Sequence, residues 1–210
     1  MADQLIERWN DEFPGRLALG RELVRRYGHI TRVYHDLRHL DSVLTHVDLL
    51  AGEAKDVRLV RLAAWYHDAV YDVRRDDNEE ASADLVMATL PVYDFDDDET
   101  AEVARLVLLT SDHAVEPGDR NGAVLCDADL AVLAGSPEEY AAYRDAVRLE
   151  YRHVADAAFA RGRAAILQGL LDLEYVFATE IGRSRWEQAA RRNVSTELDE
   201  LELDGPAGTA

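Results

Sequence analysis

The chain has 210 residues, an apolar fraction of 48%, one cysteine and a formal charge of −19. This size and apolar content suffice for a full hydrophobic core, while the lone Cys126 excludes an intrachain disulfide framework and a Cys-rich zinc site. The acidic balance argues against a nucleic-acid polymer as partner, and no apolar stretch is long enough for a membrane-spanning helix.

The N-terminus, Met1-Ala2-Asp3-Gln4, has no basic region followed by an apolar one, so no signal peptide is expected and a cytoplasmic protein is the default. Pro14-Gly15 opens a helix expected to run to about Tyr27, with Gly28 as its stop. Leu40, Val43, Leu44, Val47 and Leu50 share one helix face, behind the segment Tyr34-His35-Asp36-Leu37-Arg38-His39. An apolar run from Leu62 to Tyr71 reads as another helix, interrupted by His67-Asp68. Asp76-Asp77-Asn78 reads as a loop and cap before a helix over Glu79 to Leu90. Val103, Leu106, Val107 and Thr110 mark the next helix, and Glu116-Pro117-Gly118-Asp119 breaks it from one carrying Leu125, Leu130, Val132 and Leu133. Ser136-Pro137-Glu138-Glu139 has the order of an N-cap, a first-turn proline and an acidic first turn. An amphipathic C-terminal helix is expected around Trp186 to Leu201. The acidic runs Asp94 to Glu99 and Glu197 to Asp204 read as solvated surface, and residues 205–210 as a disordered tail. The expectation is one all-α domain over residues 1–204, of eight to ten helices.

Four polar residues stand on apolar faces. His67 and Asp68 interrupt the apolar run; as neighbours in a helix they would diverge by roughly 100° and reach one ion from two sides. His39 starts the helix that carries Val43 and Val47. Asp129 stands four residues after Leu125 and three and four before Val132 and Leu133, so its carboxylate points toward the core and calls for compensation. Two imidazoles and two carboxylates suit a single divalent cation such as Mn²⁺, Fe²⁺, Co²⁺, Ni²⁺ or Zn²⁺. Each residue also has a purely structural explanation, as a hydrogen-bonded histidine or a capping or arginine-paired aspartate. His113 follows a helix in Leu109-Thr110-Ser111-Asp112-His113, where a chain end can aim a side chain into a cleft.

These residues resemble the HD-domain superfamily of metal-dependent phosphohydrolases, whose signature is a His, a His-Asp pair and a distant Asp on a helical scaffold. Tyr34 to His39, Tyr66-His67-Asp68-Ala69-Val70-Tyr71-Asp72, Asp77 to Ala83 and Asp127-Ala128-Asp129-Leu130 are similar to the bacterial family described as predicted metal-dependent HD phosphohydrolases. Arg161-Gly162-Arg163 and Glu187 to Asn193 resemble its C-terminal blocks, so the likeness spans residues 5–201. It implies an HD-type helical domain with His39, His67, Asp68 and Asp129 as metal ligands; His35 competes with His39, and Asp127 with Asp129. The implied chemistry is hydrolysis of a small phosphorylated metabolite or nucleotide by a metal-activated water, the ion being Mn²⁺, Fe²⁺, Co²⁺, Ni²⁺, Zn²⁺ or Mg²⁺.

Asp68 would then orient the water, and Asp72, Glu79 or Glu80 would accept a proton, because Tyr71 stands where related nucleotidases carry a Glu. His35 and His113 would contact the phosphate or protonate the leaving group. Arg38 is the candidate phosphate clamp and Tyr71 a candidate pocket wall. Two other readings compete: a module that binds a phosphorylated ligand without turnover, and a di-iron oxygenase, which would call for more histidines than His113 between Asp68 and Asp129.

Overall fold

A computed structural model describes residues 1–204. The expected disordered tail, 205–210, lies outside the described residues. The chain is all-helical. Among the described residues there are eleven α-helices and three short 3-10 turns: α1 (Ala2–Glu12), α2 (Leu17–Tyr27), α3 (Leu37–Leu49), α4 (Val57–Tyr66), α5 (Asn78–Thr89), α6 (Asp97–Leu109), α7 (Arg120–Leu130), α8 (Pro137–Glu150), α9 (Asp156–Asp172), α10 (Glu180–Arg185) and α11 (Glu187–Asp204). None of these helices is long and apolar enough to cross a membrane. The chain comprises two compact units, Met1–Asp129 and the part from Leu130 onward.

In the first unit the predicted faces of α3 and α6 are buried, through Leu40, Val43, Leu44 and Val47 on one helix and Val103, Leu106 and Val107 on the other. α4 and α6 pack together, as do α5 and α6, α3 and α4, and α1 and α2. Trp9, Phe13, Tyr27, Trp65 and Tyr66 are among the fully buried side chains, and Trp9 meets Trp65 edge-on with ring centres 5.2 Å apart. Side chains of this size each contribute about 1.5–3 kcal/mol on burial. Gly20 lets α2 pass close to α1, since a Cβ there would collide with the Trp9 ring. In the acidic run from Asp94 to Glu99 most carboxylates are exposed; Asp96 caps α6 through a capping box with Glu99, and Phe95 turns into the core.

The second unit packs α8, α9 and α11 around Leu133, Tyr140, Leu167, Phe177 and Val194. Ser136 caps α8 as its sequence implied, with Glu139 closing the capping box. One expectation fails here. Glu197 is not solvated: it is buried, because Arg163 pairs with both of its oxygens at 2.8 and 3.1 Å and the Tyr140 hydroxyl donates to it at 2.6 Å.

Candidate metal centre

Helix ends in the first unit build the site. Asp36 caps α3, accepting from the Arg38 amide at 2.7 Å and the His39 amide at 3.4 Å, which fixes His39 in the first turn. α4 stops at Tyr66, so His67 is its C-cap and Asp68 lies in the following turn. This corrects the picture of two neighbours within one helix. In a continuing helix the Asp68 amide would donate to the Ala64 carbonyl. Instead the His67 ring takes that carbonyl, with Nδ1 at 2.8 Å, and the Asp68 amide donates to the Tyr27 hydroxyl at 3.1 Å. A ring nitrogen facing a carbonyl must carry the hydrogen, so His67 Nε2 presents a lone pair to the interior. Asp129 is the penultimate residue of α7; residues 131–134 form a 3-10 turn rather than extending the helix, so the apolar face that Val132 and Leu133 were expected to share with Asp129 does not exist.

These ends converge. His39 Nε2 lies 3.0 Å from His67 Nε2, 3.4 Å from Asp68 Oδ2 and 3.3 Å from Asp129 Oδ1. His67 Nε2 lies 3.2 Å from Asp68 Oδ2 and 3.7 Å from Asp129 Oδ1. Both histidines and Asp68 are buried, and Asp129 is partly so. His39, His67 and Asp129 form a group that can hold a metal ion, with ligand atoms all within 4.8 Å of one another, and Asp68 reaches the same two nitrogens. Donors about 2.1 Å from one ion and at right angles to each other lie about 3.0 Å apart, which the two imidazole nitrogens match. The charges fit as well. With neutral imidazoles, two buried carboxylates face no positive charge, an arrangement that favours a divalent cation or a proton.

Without an ion the cluster holds protons. Burial opposes charging of His39, but its hydrogen bonds to Asp129 and Asp68 outweigh this and push it up to about 10. His67 is raised too, with burial opposing and Asp68 favouring the charged form. Asp68 and Asp129 are held below the usual carboxylate range: burial opposes this, but His67 prevails at Asp68 and the hydrogen bond from His113 at Asp129. The stabilisation from His39 is therefore complete below its ordinary value of 6.5 and is lost as pH rises through about 10. That from the two aspartates holds above their ordinary 3.8 and is lost as pH falls through their depressed values. The expected result for metal-free protein is that the unfolding free-energy difference between wild type and His39→Gln shrinks as pH rises from 6.5 toward 10. Denaturant titrations at several pH values measure it, and a constant or growing difference would contradict the assignment.

The remaining candidates are placed as follows. His113 Nε2 bonds the outer oxygen of Asp129, Oδ2, at 2.9 Å. His35 stacks on Tyr71 with ring centres 4.1 Å apart, stands 5.5 Å from the His39 ring, and is close enough to Asp68 to favour its ionisation. Tyr71 thus borders the site through His35. Arg38 is exposed and paired with Asp36 at 2.9 Å. The Asp72 carboxylate is exposed and accepts from the Arg74 amide at 3.0 Å. Glu79 is partly exposed and Glu80 exposed in the first turn of α5. Asp127, the rival of Asp129, is buried but is not in the metal-capable group.

Two supporting residues were not foreseen from the sequence. Arg32 donates to the carbonyls of Asp68 at 2.7 Å, His35 at 2.9 Å and Ala69 at 3.2 Å, lacing the segment before α3 to the His67-Asp68 turn. Tyr27 supplies the hydroxyl that ends α4. Tyr27 continues the apolar face of Leu19 and Leu23, which marks it as core but does not mark its hydroxyl's role; that role, and two of the three Arg32 bonds, fall on backbone groups of the turn after α4. No family model, curated protein or solved structure matches the chain.

Proposed function

We propose that the chain is a metal-dependent phosphohydrolase, with His39, His67, Asp68 and Asp129 as ligands of one divalent ion and a small phosphorylated metabolite or nucleotide as substrate. The observation that carries this reading is the convergence of His39 Nε2, His67 Nε2, Asp68 Oδ2 and Asp129 Oδ1 within 3.0–3.7 Å in the pairs that include a histidine. The reaction class comes from the resemblance of residues 34–39, 66–72 and 127–130 to HD phosphohydrolases. A cytoplasmic location goes with it, from the single cysteine.

A divalent ion at such a site lowers the pKa of a water and polarises a phosphoryl oxygen. The residues of the chain do the rest. Asp68, held by its amide on Tyr27 and its carbonyl on Arg32, orients the attacking water. His35, half-buried against Tyr71 and close to Asp68, is the histidine assigned to the leaving group. Arg38, exposed and paired with Asp36 at 2.9 Å, remains the candidate phosphate clamp beside the ion and His35.

Binding without turnover is the second reading. It is favoured by one observation, that the Asp72 carboxylate, a candidate proton acceptor, is exposed and bonded to the Arg74 amide. A panel of phosphorylated metabolites assayed after chelation and after adding back Mn²⁺, Zn²⁺ or Mg²⁺ separates the two. The proposal expects phosphate release that requires added metal and disappears in Asp68→Asn. Saturable ligand binding with no phosphate released over hours would favour the binding module, and two irons per purified chain would favour the oxygenase.

A further inference from the structure

We infer that His113 is a positioning residue: it holds the outer oxygen of Asp129 so that the inner oxygen faces the two imidazoles. This rests on the metal-site reading above. Asp129 sits at the C-terminal end of α7, where the helix dipole disfavours a carboxylate, so its orientation needs outside partners. Its Oδ1 lies 3.3 Å from His39 Nε2, while its Oδ2 lies 2.9 Å from His113 Nε2. An ionised carboxylate only accepts, so His113 Nε2 carries the hydrogen and donates it. One oxygen is thereby committed outward and the other left for an ion.

The backbone at His113 fixes where its side chain starts. Its φ of +54° is in the left-handed region, uncommon for residues other than glycine, with histidine among those enriched there. The turn is closed by main-chain groups, the His113 amide donating to the Leu109 carbonyl at 2.9 Å and the Val115 amide to the His113 carbonyl at 3.0 Å. The Asp112 carboxylate adds a bond from the Ala114 amide at 3.0 Å, and none of these contacts uses the His113 side chain. The His113 side chain is thus free of the turn's own closure and bonds Asp129 through its ring nitrogen at 2.9 Å.

The test pairs two variants, His113→Gly and His113→Asn, both suited to a left-handed turn and neither able to reproduce the bond. Titration calorimetry with Mn²⁺ or Zn²⁺ gives the affinity, and thermal unfolding of the metal-free protein shows whether the fold persists. The inference expects both variants to fold, to bind the same number of ions per chain as wild type, and to bind them about 10–100-fold more weakly, as for loss of an outer partner of a ligand. A turn residue with no part in the site would leave affinity within about twofold while glycine kept or raised the melting temperature, and that result overturns the inference. Complete loss of binding, as expected for His67→Ala, also overturns it, because His113 would then be a ligand itself. Wild-type protein that binds no metal defeats the metal reading, and this inference with it; wild-type binding with unchanged variants defeats this inference alone.

Discussion

Replacing His67 with alanine is expected to abolish stoichiometric binding of a divalent ion. The variant loses the nitrogen that lies 3.0 Å from His39 Nε2 and 3.2 Å from Asp68 Oδ2. It also removes the ring that occupies the Ala64 carbonyl, so the Asp68 amide can take that carbonyl and α4 can wind one residue further, turning the Asp68 carboxylate out of the site. Both consequences lower affinity. Loss of an outer partner alone costs about 10–100-fold, so losing a ligand together with its neighbour's orientation should exceed about 100-fold. Calorimetric titration with Mn²⁺ or Zn²⁺ measures it, and cooperative unfolding checks that the variant is folded. An isotherm like that of wild type would remove His67 from the site.

Replacing Arg163 with alanine should destabilise the second unit by about 3–5 kcal/mol, the usual cost of breaking a buried ion pair. The guanidinium holds both Glu197 oxygens, donates to the Tyr143 hydroxyl at 2.9 Å and lies 5.0 Å above the Tyr143 ring. Without it Glu197 is a buried carboxylate holding a hydrogen bond from the Tyr140 hydroxyl and only the longer-range charge of Arg144, and Tyr140, already raised by burial and by Glu197, cannot neutralise it. Lysine would restore a charge but not the two-pronged fit. The double replacement Arg163→Met with Glu197→Leu should be much milder, because no charge is then stranded. Denaturant unfolding of the four proteins decides. A single variant no less stable than the double one would mean that the pair is not buried in solution.

The helical architecture and the heart of the site were legible because both rest on local rules. Period-3.6 apolar faces mark α3 and α6, and Ser136-Pro137-Glu138-Glu139 marks the start of α8. His39, His67, Asp68 and Asp129 stood out because polar groups on apolar faces require compensation. What escaped the sequence depends on contacts between distant segments. The stop of α4 follows from a competition for the Ala64 carbonyl that only the fold sets up, and the role of Arg32 follows from carbonyls freed by that stop. Asp129 was identified from a face it does not have, since residues 131–134 leave the helix; its proximity to His39 and His113 is a tertiary fact. Glu197 looked like part of an acidic surface run because its partner, Arg163, is remote in sequence.

The most direct test of the metal site is calorimetric titration of chelator-stripped wild-type protein with Mn²⁺ or Zn²⁺ near pH 8, repeated in buffers of different ionisation enthalpy. The account predicts one ion per chain and release of about one proton on binding, because the ion displaces the proton that His39, pushed up to about 10 by Asp129 and Asp68, carries at that pH. Absence of saturable binding, or binding that survives unchanged when His39 and His67 are both alanine, would contradict it.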